Sequence, residues 1–212
     1  MVKAIQELEN SAPPGIAIAA GPYRLRSLTA DDASDRWAAW FSDPHVRHML
    51  NSPGTAWTKE TAAKYIRGFD QATNILLGIF AVEQNLLVGI LTAKINPKTR
   101  QALITLLVGE PAYRDKRVWS TVRVPIMDYL FDTLRMKMIL ASALKRNNII
   151  IDSMIKRGWK LDQMLKDHVK SNADGGTLDL CLFSLTRDAY RAWKKTQRRD
   201  TSDHAGLVES PE

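Results

Sequence analysis

Three basic residues, Arg114, Lys116 and Arg117, stand together between an apolar run ending at Val108 and another opening at Val118. A strand ending at Val108 and a helix beginning near Arg117 bring the free N–H groups of a first helical turn to the same place. Those donors, the helix dipole and the three cations together suit a phosphorylated group, a pyrophosphate above all. Other site chemistries find no pattern here. No Cys or His pairs carry zinc spacing, so no metal is expected. There is no dinucleotide or Walker glycine loop and no nucleophile elbow. The one cysteine, Cys181, lies in an apolar run and reads as a small buried hydrophobe.

The chain has 212 residues with 45% hydrophobic and 25% charged, the balance of one ordinary globular domain. Its net charge of +7 favours an anionic partner. No apolar run reaches the ~20 residues of a membrane span. The start mixes Lys3 with Glu7 and Glu9, and its apolar stretch is too short for a signal-peptide core. These features predict a cytoplasmic protein. Residues 1–21 read as a flexible leader, 22–198 as the domain and 199–212 as a disordered tail. The basic helix predicted over Arg187–Arg198 has Ala189 and Trp193 for an inner face, which favours docking onto the domain over nucleic-acid binding.

The elements that must hold the basic turn follow from periodicity. A short strand at Tyr23–Leu28 precedes a helix through Trp37 that ends near Asp43-Pro44, and a second helix begins at Thr58. Strands follow at Ile75–Val82, Leu86–Ile95 and Ala102–Val108, antiparallel by their short connections. A helix over Val118–Leu134 contains Pro125 and is expected to kink. Then come a strand at Met136–Ala143, a short helix at Asn148–Lys156 stopped by Gly158, and strands at Trp159–Leu165 and Thr177–Leu185. A meander followed by a helical crossover predicts an α/β (α+β) domain.

Four stretches resemble the GNAT superfamily, in its branch acting on amino sugars, antibiotics or protein N-termini. They are Tyr23–Leu28 with Asp31-Asp32, the segment Trp40-Phe41-Ser42-Asp43-Pro44-His45-Val46, the turn Leu107–Val118, and Asn147 through Gly158-Trp159. The resemblance implies a mixed central sheet of about seven strands with helices on both faces. It implies acetyl-CoA or another acyl-CoA as co-substrate and a small-molecule primary amine, an amino sugar first, as acceptor. The coenzyme would meet backbone at Leu107, Val108 and Gly109, the turn at Arg114, Lys116, Arg117, Val118 and Trp119, and Asn147. Glu110 and then His168 are the candidate bases. Trp40, Asp43, His48 and Trp57 are the candidate acceptor contacts.

The turn also departs from the family. The family's glycines fall at Asp115, Arg117 and Trp119, and none is kept. The family's thiol acid, a tyrosine, falls at Met154, and its preceding serine at Ile150. Transfer would then rely on positioning and direct attack. Two alternatives stand beside the enzyme reading: a degenerate domain serving as a binding module, and an acyl carrier protein as donor, met by the basic turn. Edge strands suit pairing in a homodimer.

Overall fold

The computed structural model describes residues 15–53, 56–114 and 116–205, with side chains through Gln197. Asp115, residues 1–14 of the expected leader and residues 206–212 of the expected tail lie outside the described residues. The strands are β1 (Ala17–Ala20), β2 (Tyr23–Ser27), β3 (Asn74–Ala81), β4 (Leu86–Asn96), β5 (Gln101–Val108), β6 (Met138–Leu144), β7 (Lys160–Lys170) and β8 (Thr177–Thr186). They form one sheet in the order β1-β2-β3-β4-β5-β6-β8-β7. Every pairing is antiparallel except that of β5 with β6.

The sheet is covered on both faces, and β3 shows why. Ile75, Leu77, Ile79 and Ala81 enter one core, while Leu76 and Phe80 enter the other. That is the period-two split of a strand with no solvent side. Helices α1 (Asp35–Trp40), α2 (Pro44–Leu50) and α3 (Lys59–Arg67) bring Trp37, Trp40, Val46, Ala62 and Ile66 to the second core. Helix α4 (Val118–Asp128) brings Val118, Val122 and Ile126 to the first. Helices α5 (Asn148–Ile155) and α6 (Arg187–Ala205) complete the chain.

Four expectations are corrected. The leader was expected through residue 21, yet Ala17–Ala20 pairs with β2, from Ala17↔Arg26 to Ala20↔Tyr23, and buries Ala20, giving an eighth strand. The Asp43-Pro44 step, read as a helix end, also opens α2: the Asp43 carboxylate accepts from the N–H groups of His45 and Val46, and Pro44 takes the first turn, where its missing N–H is no loss. The helix expected through Leu134 is α-helical only to Asp128 and then widens into a π turn over Tyr129–Thr133. The tail was expected to begin at residue 199, but α6 runs to Ala205.

One pairing positions the candidate site. β5 and β6 run parallel, and only Gln101↔Met138, Ala102↔Ile139 and Leu103↔Leu140 are in register. Beyond that point β5 stays with β4, and β6 stays with β8. The two strands part, and no ladder joins their facing edges.

Candidate active site

The parting of β5 and β6 opens a cleft of ≈ 570 Å³, within the range of small-molecule and cofactor sites. Ile104, Thr105 and Leu106 form its β5 wall, and Ala141, Ser142, Ala143 and Leu144 its β6 wall. Met49, Leu50 and Asn51 at the end of α2, with Val169, Lys170 and Asn172 near the β7–β8 turn, close one side. That closure is hydrogen-bonded. Asn51 Nδ2 donates to the Lys170 carbonyl at 2.7 Å, and the Asn172 N–H donates to Asn51 Oδ1 at 2.9 Å. The Arg146 guanidinium also donates to the His48 carbonyl.

On the opposite side stand Trp119, Ile150, Met154 and Trp159. Three of the departures from the family therefore lie on one wall: the indole at a glycine position, the thioether at the tyrosine position and Ile150 at the serine position. Asn147 also lines the cleft, and its side chain accepts from the Ile150 N–H as the cap of α5. Asn147, expected to contact the coenzyme, thus serves as a helix cap at the edge of the cleft.

The basic turn divides into two functions. Arg117 caps α4 in the left-handed region, at φ 51° and ψ 29°. Glycine adopts that conformation freely, and a residue with a β-carbon adopts it at a cost of about 1–2 kcal/mol. The turn thus keeps a shape suited to glycine without the glycine. Among the described residues no side chain caps the first turn of α4. The side chains of Lys116 and Arg117 are exposed beside it, with Lys116 Nζ 4.5 Å from the centre of the Tyr113 ring.

Arg114 is different. Its Nη2 lies 3.0 Å from Asp43 Oδ2 and donates to the Gly109 carbonyl at 3.1 Å. Burial pushes the Asp43 carboxyl up, but Arg114 and the α2 N–H groups outweigh it and hold it below its usual range. Arg114 and Asp43, expected on coenzyme and acceptor, instead clamp the turn to α2.

The remaining candidates are spread apart. Glu110 is 7% exposed and does not line the cleft; its Oε2 accepts from Arg36 Nε at 2.8 Å. The bond from Arg36 is the largest influence on it, and it holds the carboxyl below its usual range. A carboxylate held that way is a weak proton acceptor. His168 is exposed on β7, next to Val169 and Lys170, which do line the cleft. His48 is exposed, one residue before the Met49–Asn51 wall. Trp40 is 3% exposed and lies against Gly109, where an added Cβ would meet its ring at 2.0 Å. Trp57 stacks on Phe41 with ring centres 4.1 Å apart, inside an aromatic group with Trp37 and Tyr65. Neither indole lines the β5–β6 cleft; Trp40 is packed in the core, and Trp57 lines a separate surface groove with Lys64, Tyr65 and Phe69.

The expected backbone contacts shift as well. The Gly109 N–H donates to the Val88 carbonyl at 3.1 Å. The β5 wall of the cleft lies at Ile104–Leu106, just before Leu107 and Val108. Sequence reasoning missed Thr105, Ser142 and the Asn51–Asn172 pair. The strand pattern placed Thr105 and Ser142 on β5 and β6 but gave no sign of where those strands part. Nothing in the local sequence pairs Asn51 with Asn172.

The fold is shared with many solved structures. A GCN5-related N-acetyltransferase from Brucella melitensis superposes with a TM-score of 0.71 at 16% identity, covering 88% of this chain and 86% of that one. A ribosomal-protein-S5-alanine acetyltransferase from Vibrio fischeri gives 0.69 at 14% identity, over 82% and 98%. A spermidine N-acetyltransferase chimera from Vibrio cholerae gives 0.69 at 16% identity, over 80% and 98%. No curated protein matches in sequence. Identities this low establish the fold alone, but residues 23–160 match the acetyltransferase (GNAT) domain family. With that match over most of its length, on a sheet split between β5 and β6, the chain belongs to the GNAT acetyltransferases.

Proposed function

We propose that the protein moves an acyl group, acetyl or longer, from an acyl-CoA thioester to the primary amine of a small molecule in the cytoplasm. The parting of β5 and β6 carries this reading, because it presents two unpaired backbone edges along an apolar cleft. An extended amide-containing chain lying there gains main-chain hydrogen bonds that side-chain identity does not control. The first turn of α4, uncapped among the described residues and with Lys116 and Arg117 beside it, suits the phosphates at the other end of the same molecule. When bound, the coenzyme supplies an activated thioester carbonyl. Backbone N–H groups on the β5 edge would polarise it.

An attacking amine must be neutral, and alkyl ammonium groups have a pKa near ~10. No carboxylate lines the cleft among the described residues. The reading therefore rests on positioning, with water taking the proton. Among the described residues, Lys170 is the one formally charged side chain in the lining. A polycation would find no counter-charge there, whereas an amine on a neutral or anionic carrier, such as an amino sugar or nucleotide-linked amino sugar, meets no repulsion.

Calorimetric titration with acetyl-CoA in low and moderate salt tests the donor, and release of free thiol with a panel of amines tests the acceptor. Micromolar binding and turnover with amino sugars but not with spermidine is the expected result. The wall of Trp119 and Met154 favours a second reading, a domain that binds without catalysis. Coenzyme binding without thiol release from any amine would support it. No binding of any acyl-CoA, with turnover from an acyl carrier protein that falls as salt rises, would move the donor to the carrier.

A further inference from the structure

Behind the Trp119–Met154 wall lies a second, much smaller cavity between α4, α5 and α6. Its volume is ≈ 20 Å³, enough for a single small occupant. Two guanidinium groups line it, Arg123 from α4 and Arg157 just past α5, and no carboxylate does among the described residues. The rest of the lining is apolar or aromatic, including Trp119, Met154, Trp159 and Trp193.

Arg123 is only partly satisfied, whereas Arg157 holds both the carbonyl and the hydroxyl of Ser153. Arg123 Nε donates to the Ser120 carbonyl at 3.1 Å, and the guanidinium lies 4.5 Å from the centre of the Trp193 ring. Arg123 Nη1 is buried with no hydrogen-bond partner among the described residues. Arg157 Nη1 donates to the Ser153 carbonyl at 2.7 Å. The carboxylate reaching this region, Asp128, is held by Lys194 Nζ at 2.6 Å and by the Tyr190 hydroxyl at 2.9 Å. Burial and then the charge of Arg157 both work against the charged form of Arg123.

Two like charges around a cavity that offers N–H donors call for an acceptor carrying negative charge. A water would satisfy a donor but leave the repulsion. A monatomic anion is the most compact group that supplies that charge. We propose that this cavity is a binding site for a monatomic anion of chloride size, bridging Arg123 and Arg157. The anion ties α4 to the α5–β7 corner and fixes Trp119 from behind, so it stiffens one wall of the neighbouring cleft. Gly158 turns the chain at this corner with φ 83°, in the left-handed region that favours glycine.

The test uses sodium bromide and sodium chloride against sodium gluconate at matched ionic strength. In chloride or bromide the melting temperature should rise saturably, by about 4 °C at tenfold excess over the dissociation constant. Arg157→Met should remove that dependence. Crystals grown in bromide should show an anomalous peak between Arg123 and Arg157. The idea is overturned if no peak appears there, or if a peak appears while melting is the same in bromide and gluconate, which would mark an adventitious ion only. Should Arg157→Met fail to fold, the bromide crystal and the salt series of the unaltered protein still decide.

Discussion

The α1–α3 layer and the β5–β6 cleft make opposite use of their polar residues. In and beside the helical layer most residues that looked chemical are held by a partner, His48 excepted: Asp43 by Arg114, Glu110 by Arg36, Trp40 by Gly109 and Trp57 by Phe41. In the cleft the walls are mostly apolar, and the facing strand edges have no ladder partner. Charge builds the frame, and backbone is left for the ligand. In this molecule a charged or aromatic side chain near the site is therefore poor evidence of catalysis. A strand pairing that stops early is better evidence of binding.

The comparison is broken most severely at Gly109. A methyl group there overlaps the Trp40 ring, which has no room to retreat within a core it shares with Trp37 and Leu107. Gly109→Ala is expected to destabilise the protein by about 3 kcal/mol, read from urea unfolding. A loss below half of that would mean Trp40 moves freely and belongs to the site after all.

Trp119→Gly restores the family's residue and removes bulk from the cleft wall. Acetyl-CoA is expected to bind about tenfold more tightly, equivalent to ~1.4 kcal/mol. The protein loses some stability because Trp119 packs against the core, so affinity is measured by calorimetry well below its melting temperature. Unchanged or weaker binding would show that the indole is part of the coenzyme surface.

The fold was largely legible because it rests on burial. The near-continuous apolar run of β3 and the alternation on β5 report solvent on no face or on alternate residues, and a sequence records that directly. β1 was hidden because Ala17–Ala20 is made of small residues at a sheet edge, and such a run resembles a linker. The site was less legible because its defining event is an absence of pairing after Leu103 and Leu140. Residue types in β5 and β6 do not change there. The partners of Glu110 and Asp43 were hidden for a related reason: Arg36 and Arg114 lie 74 and 71 positions away along the chain, and local spacing says nothing about either contact.

The division of labour within the basic turn gives a sharper test. Arg114→Ala should lower stability by about 1 kcal/mol and show coupling to Asp43→Ala in a double-mutant cycle, with modest change in coenzyme affinity. Changing Lys116 and Arg117 together to Ala should do the reverse, weakening acetyl-CoA binding and flattening its salt dependence while melting barely moves. Equal loss of binding in both variants would return Arg114 to the phosphate site.

The smallest effect concerns pH. Glu110 titrates below its ordinary value of 4.5, chiefly because Arg36 donates to it. A depressed carboxylate stabilises the fold fully above its unfolded value, and that contribution is lost as pH falls through the folded value. Its share should be intact above about pH 5 and disappear in the acid range below 4.5. Arg36 is half exposed, so the pair is worth only about 1 kcal/mol. Glu110→Gln should remove that much at pH 7 and leave a flatter acid limb in urea midpoints taken from pH 7 down to pH 3. Its activity at pH 7 should stay within about threefold of the unaltered protein, because the carboxylate faces Arg36 and not the cleft. A hundredfold loss of turnover with the coenzyme affinity unchanged would instead mark Glu110 as the base, working through water as general bases of its kind do.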